Sequence, residues 1–287
     1  MKKGWYSALW PQSQNYFFDM PELPEVETIA RFLSPQLEGR TIQSALLLWK
    51  RTLATPSPRL FGSRIVGQSI LNVDRRAKFL HLQLSSDHLF IHLRMSGDLW
   101  IKEQGYRADK HDRLLINLSD GKWFVFNDPR KFGRVWLTDD PSEVVGGLGP
   151  EPFDPAFTPQ ILYSRLRARH RQIKPLLLDQ AFLAGLGNIY TDEALHMAGI
   201  HPLTESDKIS AGKTERLFHA IRSVLETGIE HNGASIDWVY RGGDFQNYFR
   251  VYGRTGEPCP VCRTPIERIS VGQRGTHFCP KCQRPVK

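Results

Sequence analysis

The stretch RLLINLSDGKWFVF, residues 113–126, decides the fold class of the first half of the chain. Two runs of strand-forming residues flank Asp120-Gly121, a pair typical of a tight β-hairpin turn. Apolar and polar residues alternate over residues 80–84, and the run LFIHLRM at 89–95 follows them. Residues 40–137 are therefore predicted to form an antiparallel sandwich or barrel-like domain.

Helical patterns lie on both sides of this strand region. Val26, Ile29, Ala30, Leu33 and Leu37 recur at helical spacing, with Pro24 in the first turn. A second apolar stripe runs from Leu217 to Ile229 and stops at Asn232-Gly233. The loop GGLGPEPFDPAFTP separates the strands from the later helices, and it predicts a domain boundary near residue 152.

The chain has 287 residues and a net charge of +8, from 38 Lys and Arg against 30 Asp and Glu. This excess favours a polyanionic partner, either nucleic acid or an anionic membrane surface. The sequence contains no run near the length of 18 apolar residues that a membrane span needs, and its opening lacks a continuous apolar core. We therefore expect a cytoplasmic protein.

The four cysteines all lie in the last 29 residues. Cys259 and Cys262 form one CxxC pair, and Cys279 and Cys282 form another sixteen residues later. This spacing predicts one tetrahedral zinc ion, which would be structural because four protein ligands leave no open position. A pair of disulfides or free thiols is the alternative, and a cytoplasmic location disfavours it.

Basic residues cluster at several turns and helices. The stretch from Arg165 to Lys174 precedes GLGNIY, where backbone amides at a helix start and the side chain of Asn188 could contact a phosphate. A solvated helix face and a simple turn are the alternatives for these two segments. The cysteines are surrounded by basic residues, which favour a zinc-held hairpin directed at phosphates, with a solvated basic face as the alternative. These residues are Arg263, Arg268, Arg274, Lys281 and Arg284.

Several motifs then identify a family resemblance. PELPEVET at residues 21–28 resembles the amino terminus of the formamidopyrimidine-DNA glycosylases, which remove 8-oxoguanine and ring-opened purines. The resemblance continues in order to about Arg284, and residues 1–19 fall outside it. The further motifs are RRAK, HLRMSG, KHD, DPRKFG, GLGPEP, IKPLLLD, GLGNIY, EAL, AGIHP, VYGRTGEPC and the CPxC…CPKC tail.

The resemblance implies an α+β fold in three parts, with DNA between the first two. Residues 20–152 would form one helix and an antiparallel β-sandwich, and residues 153–254 a helix-two-turn-helix domain. Residues 255–287 would form a zinc-finger β-hairpin that holds one structural Zn²⁺. Residues 1–19 are expected to be absent from the mature protein, with translation starting at Met20.

The resemblance also implies the catalytic residues of a bifunctional glycosylase and lyase. Pro21 would attack C1′ of the damaged nucleotide as the amino-terminal residue, and Glu22 would act as general acid and base. Lys78 of RRAK would lie near the lesion phosphate and sugar. Arg274 would contact phosphate and assist δ-elimination. A terminal proline suits this chemistry because its secondary amine forms a permanently cationic iminium.

DNA-binding residues follow from the same resemblance. His111, Arg130, Arg169 and Asn188 match DNA-contacting positions. Met95, Arg130 and Phe132 match the set that fills the space left by an extruded base, a step that needs apolar wedges and a polar donor. Residues 242–247 resemble the loop that covers the flipped base.

Two rival functions remain open from sequence alone. The endonuclease VIII class shares the fold and mechanism but prefers oxidised pyrimidines, and PELPEVET with the Met95, Arg130 and Phe132 set favours the purine branch. A zinc-containing DNA-binding protein without catalysis would result if residues 1–19 are retained, because an amide nitrogen at Pro21 cannot form an iminium. The expected partner is damaged double-stranded DNA, bound by a nucleoid-associated monomer without membrane contact or a small-molecule cofactor.

Overall fold

The structure is a computed structural model that describes residues 20–234 and 242–285. The predicted extension, residues 1–19, lies outside the described residues. The α-helices are α1 (Leu23–Leu37), α2 (Pro58–Ile65), α3 (Ser142–Val145), α4 (Pro159–Arg167), α5 (Ile173–Leu178), α6 (Asn188–Ala198) and α7 (Ala211–Glu230), with short 3₁₀ helices at Lys50–Thr52, Ser206–Lys208 and Phe245–Tyr248.

The strands form two sheets in the first half and a hairpin near the end. They are β1 (Ile42–Leu47), β2 (Leu53–Thr55), β3 (Ile70–Arg76), β4 (Phe79–Leu84), β5 (His88–His92), β6 (Asp98–Lys102), β7 (Asp112–Leu118), β8 (Trp123–Asn127), β9 (Arg134–Thr138), β10 (Glu267–Val271) and β11 (Arg274–Phe278). One sheet has the order β1-β7-β8-β6 and the other β2-β9-β5-β4-β3.

The two larger sheets pack as a sandwich around one apolar core, because inward residues of both sheets belong to a single buried cluster. The hairpin expected at Asp120-Gly121 is confirmed, with Asn117 opposite Trp123. The antiparallel sandwich is confirmed, with one parallel pair, β2 and β9. This parallel pair lies at one edge of the five-stranded sheet.

Helix α1 contributes to both halves of the molecule. Val26, Ile29 and Leu33 are buried in the sandwich core, whereas Leu23 belongs to the core of the helical half. Glu22 is the N-cap residue, and Oε2 of Glu25 accepts its N–H at 2.8 Å, which satisfies one amide at the helix start. The amino end of α1 is therefore fixed at the junction of the two halves.

The helical half packs mainly against α7. The predicted stripe on α7 is confirmed, since Leu217, Ile221 and Leu225 are buried in this core. The chain turns after α7 through Asn232 and Gly233, which both have positive φ, as a helix C-terminus often requires. Among the described helices, none combines the length and the apolar character that a membrane span requires.

The last two strands, β10 and β11, form an antiparallel hairpin. Val271 pairs with Arg274 across a two-residue turn, and both turn residues, Gly272 and Gln273, have positive φ. Arg274 is exposed and lies at the first position of β11. The fold thus presents this arginine at the tip of a hairpin.

Candidate active site

The carboxylate of Glu22 lies at the amino end of α6, in the other half of the molecule. Oε2 accepts the N–H of Gly187 at 2.5 Å, and Oε1 accepts the N–H of Ile189 at 2.9 Å. A helix start favours negative charge because its first amides have no partner within the helix. GLGNIY therefore does present amide donors at a helix start, but two of them bind a carboxylate of this chain rather than a phosphate.

Gly187 is required for this contact. A Cβ atom there would lie 2.2 Å from Cδ of Glu22, closer than any real Cβ contact. Asn188 follows and is buried, and its Oδ1 has no hydrogen-bond partner among the described residues. Pro21, directly before Glu22, is also buried. The structure thus brings Pro21, Glu22 and Asn188 to the same junction.

Glu25 is a buried carboxyl in the first turn of α1. Its Oε1 accepts the hydroxyl of Tyr190 at 2.7 Å and the N–H of Ala234 at 2.8 Å. Burial raises the pKa of Glu25, although hydrogen bonds from Ala234, Tyr190 and Glu22 act in the opposite direction. Glu25 therefore joins α1, α6 and the segment after α7 beside the junction.

Lys78 lies in a two-residue turn between β3 and β4, where Arg76 pairs with Phe79. Its side chain is largely buried, and so is that of His92 on β5. Burial, together with the positive charges of Arg94 and Lys78, lowers the pKa of His92 to about 3. His92 is thus a neutral residue in this cationic site, and the sequence gives no signal for it beyond its place in HLRMSG.

Two loops carry the predicted void-filling residues, and we call them the wedge loops. The first, residues 93–97, contains Met95, and the second, residues 128–133, contains Arg130 and Phe132. The Phe132 side chain is 48% exposed, with the Arg130 guanidinium 5.1 Å from its ring centre. An exposed ring beside a cation is chemically suited to enter a base stack.

Ser96 and Asp128 join the two wedge loops. The Ser96 hydroxyl donates to Oδ1 of Asp128 and accepts the N–H of Arg130 at 3.2 Å. Oδ2 of Asp128 accepts the N–H of Gly133 at 2.7 Å. Asp128 has no solvent exposure, so these bonds form in a poorly screened interior. The backbone of one wedge loop is therefore held by a side chain of the other.

Four of the predicted site residues follow a non-glycine residue in the left-handed backbone region. This conformation is uncommon for residues with a Cβ atom and is often found at functional positions. The pairs are Ala77 and Lys78, Arg94 and Met95, Lys131 and Phe132, and Gln273 and Arg274, with φ values of 54°, 57°, 62° and 63° for the first residue of each pair.

The predicted DNA contacts differ in exposure. Arg169 and Arg130 are exposed, while His111 is half-buried beside the second wedge loop, where its carbonyl accepts the N–H of Asp128 at 2.9 Å. Lys174 does not share the exposed position expected for the basic stretch that begins at Arg165. It is fully buried, and its Nζ donates to Oδ1 of Asp192 at 2.6 Å. Lys174 therefore belongs to the interior and not to a DNA-facing surface.

The four cysteines converge beneath the β10–β11 hairpin. Their Sγ atoms all lie within 4.8 Å of one another, and none is joined in a disulfide. Sγ atoms of Cys262 and Cys279 are 3.4 Å apart, and those of Cys259 and Cys282 are 3.9 Å apart. Tetrahedral zinc with four thiolates needs a separation of about 3.8 Å, so this donor set fits the ion.

Comparison with known proteins gives the family. The formamidopyrimidine-DNA glycosylase N-terminal domain matches residues 20–135, and the H2TH domain of the same proteins matches residues 148–239. The zinc finger found in FPG and IleRS matches residues 256–285. The chain belongs to the formamidopyrimidine-DNA glycosylase family. The predicted fold class and the structural zinc finger are confirmed.

Several relatives match the chain over nearly their whole length. The formamidopyrimidine-DNA glycosylases of Chloroflexus aggregans and Chloroflexus aurantiacus are 49% and 48% identical to the chain. Each match covers 92% of the chain and 98% of the relative. Membership of this family makes the chain a DNA glycosylase, which confirms the predicted enzyme class.

Solved structures of the family superpose on the chain. A MutM structure in complex with DNA containing carbocyclic 8-oxo-G is 37% identical, with a TM-score of 0.85. The Lactococcus lactis Fpg in complex with DNA containing an abasic site is 34% identical, with a TM-score of 0.86. Both matches cover 92% of the chain and 100% of the other protein. These formamidopyrimidine-DNA glycosylases therefore share the whole described architecture.

Proposed function

We propose that the chain excises 8-oxoguanine and formamidopyrimidines from duplex DNA and then cleaves the strand by β,δ-elimination. One observation carries the proposal: Pro21 and Glu22 are buried together at the junction of the two halves, with the Glu22 carboxylate on the amino end of α6. Relatives solved with 8-oxo-G, Fapy-dG or abasic DNA support this choice of substrate.

Pro21 is the proposed nucleophile. A free α-amino group titrates near pH ~8, whereas a lysine side chain titrates near ~10.4, so a terminal amine is more readily uncharged at neutral pH. Attack of the proline nitrogen on C1′ breaks the bond to the damaged base, which leaves with a proton. Loss of the N–H proton and opening of the C1′–O4′ bond, with a proton delivered to O4′, then give a cationic iminium. That cation withdraws electrons and makes the C2′ proton removable, which permits β-elimination.

Glu22 is the proposed proton carrier. Two backbone amides fix the orientation of its carboxylate, and Glu22 directly follows the residue that would form the covalent bond, which suits transfer of protons to and from the sugar. Lys78 would bind the lesion phosphate and sugar from its buried turn. Arg274, exposed at the tip of β11, would bind phosphate and promote the second elimination.

The remaining predicted residues would hold the DNA open. Met95 and Phe132 would enter the space left by the extruded nucleotide, and Arg130 would bind the unpaired partner base. His111, Arg169 and Asn188 would bind the backbone, which positions the duplex without reading its sequence. The connection between the wedge loops through Ser96 and Asp128 supports a joint role for them.

This chemistry requires a free nitrogen at Pro21. Translation from Met20 followed by removal of that methionine would supply it, and the family match that begins at residue 20 supports this start. With residues 1–19 attached, Pro21 lies in an amide bond, whose nitrogen has no basic lone pair. We propose that the attached form binds damaged DNA without catalysis and that the form beginning at Pro21 is the enzyme.

Covalent trapping tests the mechanism. The protein beginning at Pro21 should be trapped on a duplex containing 8-oxoguanine when borohydride reduces the iminium, and mass spectrometry should locate the adduct on Pro21. The 287-residue form should show no trapping and serves as the control. No adduct on the form that begins at Pro21 would refute the proposed mechanism.

Substrate competition tests the lesion class. A duplex with 8-oxoguanine opposite cytosine and a duplex with thymine glycol should be mixed at equal concentration, with each strand labelled differently. We expect preferential cutting of the 8-oxoguanine duplex. Preferential cutting of thymine glycol would assign the chain to the endonuclease VIII type of specificity.

A further inference from the structure

The turn that carries Lys78 has an unusual residue at its first position. Two-residue hairpins with positive φ at that position usually have glycine, because a Cβ atom disfavours the left-handed region. Ala77 occupies the position with φ 54° and is 1% exposed. The turn sequence therefore does not itself select this conformation, and a contact from elsewhere in the chain is needed to stabilise it.

Glu151 provides that contact from the segment that joins the two halves. Its Oε1 accepts the N–H of Ala77 at 2.5 Å. The same carboxylate pairs with Arg75 at 2.8 Å and with Arg76 at 2.9 Å, the two residues before Ala77. The last two residues of β3 and the first residue of the Lys78 turn therefore bind a single side chain.

The charge of Glu151 is well stabilised in this position. Burial acts to raise the pKa of Glu151, but the charge of Arg75 and the bonds from Ala77, Arg75 and Arg76 outweigh it, and the net shift is downward. An ionised acceptor makes a stronger hydrogen bond with a backbone amide than a neutral one does. The contact with Ala77 is therefore available at neutral pH.

The segment around Glu151 is attached in turn to the helical half. The N–H of Gly149 donates to the carbonyl of Gln180 at 2.8 Å, and the N–H of Ala184 donates to the carbonyl of Pro150 at 2.9 Å. These bonds lie just before GLGNIY, which binds Glu22. The position of Glu151 therefore depends on the same part of the helical half that holds Glu22.

We infer that Glu151 is a positioning residue for Lys78. Its carboxylate selects the left-handed conformation of Ala77, and that conformation sets the direction in which Lys78 leaves the turn. Lys78 and Glu22 are thereby placed relative to one another through the helical half. The inference rests on the proposed role of Lys78 at the lesion, and it adds a residue that does not itself touch DNA.

Glu151→Gln in the full protein with a free Pro21 is the first test. Glutamine keeps the size and one acceptor oxygen but removes the charge, and loss of a charge-assisted bond of this kind should slow single-turnover excision on the order of tenfold. Affinity for a duplex with a stable abasic analogue should change much less than the rate. Glu27→Gln is the matched control, because Glu27 pairs with Arg75 at 2.7 Å and is not bonded to Ala77.

Two double variants separate positioning from general stability. Ala77→Gly, which adopts positive φ without strain, should restore most of the rate lost in Glu151→Gln. In a Lys78→Ala background, Glu151→Gln should cause almost no further loss, because the two residues act in series. A merely structural Glu151 would show the same loss in all three backgrounds, and that result would overturn the inference.

Two further measurements separate a failure of the inference from an unfolded variant and from a protein that does not act on the lesion. Thermal unfolding should show that each variant is folded, and Glu151→Asp, which keeps the charge but shortens the reach, replaces Glu151→Gln if the latter is unfolded. If the wild-type protein leaves the lesion duplex uncut, the proposed function fails. Hydrogen exchange at the Ala77 amide then decides the inference: faster exchange in Glu151→Gln than in Glu27→Gln supports it, and equal exchange refutes it.

Discussion

Nζ of Lys174 donates a 2.6 Å hydrogen bond to Oδ1 of Asp192, and neither side chain is exposed to solvent. The pair continues into the zinc-finger hairpin. Lys174 also donates to the carbonyl of Gly275 at 3.1 Å, and Oδ2 of Asp192 accepts the N–H of His277 at 2.8 Å. A buried pair therefore attaches β11 to the helical half directly beside Arg274.

Removing one member of this pair should destabilise the protein strongly. Lys174→Met leaves the Asp192 carboxylate buried and unpaired, and the free energy of unfolding in urea should fall by about 3–5 kcal/mol. Arg171→Met is the control, because Arg171 pairs with Asp179 near the surface and should contribute no more than ~1 kcal/mol. The double variant Lys174→Met, Asp192→Leu should be more stable than Lys174→Met, and a double variant that is no better would contradict this account.

Gly187→Ala should inactivate the enzyme while leaving it folded. The added Cβ would displace the Glu22 carboxylate from the start of α6. We expect excision of 8-oxoguanine to fall by at least about a hundredfold, the size of effect seen when a catalytic proton carrier is lost. Gly212→Ala on α7 is the control, since nothing lies within 4 Å of its new Cβ. Excision rates that are equal in the two variants would argue against the Glu22 contact.

His92 should make stability depend on pH in the acid range. Its pKa is about 3 in the folded protein against 6.5 for the ordinary group, so between these values the unfolded chain binds one more proton. Stability is therefore fully present above pH 6.5 and is lost as pH falls toward 3, by up to ~1.4 kcal/mol per pH unit. In His92→Asn, whose amide oxygen can still accept the N–H of Arg94, urea unfolding at pH 7 and pH 4.5 should differ less than in wild type. An equal difference would mean that His92 does not contribute.

Zinc should be present at one ion per chain and should be needed for the hairpin that carries Arg274. Cys262→Ser should lower the zinc content measured by elemental analysis, lower Tm and weaken binding to DNA, because the site contributes directly to folding. Val261→Ser, at a residue 67% exposed between the first two ligands, should leave all three unchanged. A wild-type protein with well under one zinc per chain would disprove the metal assignment.

Features set by short-range patterns could be predicted from the sequence. The α1 stripe, the hairpin at Asp120-Gly121 and the four cysteines depend on spacings of a few residues, and the structure has each of them. Residues that act through distant partners could not be predicted in this way. Glu25 binds the amide of Ala234, which is 209 positions away, and Lys174 binds the carbonyl of Gly275. A local sequence pattern does not predict contacts between residues so far apart in the chain.

The backbone conformation at the site also could not be predicted from the sequence. Left-handed residues are usually marked by glycine or asparagine, and the residues before Lys78, Met95, Phe132 and Arg274 are neither. For Ala77 the stabilising contact is long-range, because its N–H donates to Glu151. A prediction from sequence therefore identifies the side chains of the site better than it identifies the contacts that orient them.

The contact between Glu22 and α6 also decides what a dissected protein can show. A fragment ending near residue 152 would retain Pro21, Glu22 and Lys78 but would lack the amides of Gly187 and Ile189. With Glu22 in its proposed role, we expect neither half to be active alone, and a hybrid that exchanges helical halves between relatives must rebuild this contact across the join. Excision activity should therefore serve as a measure of the correct assembly of the two halves.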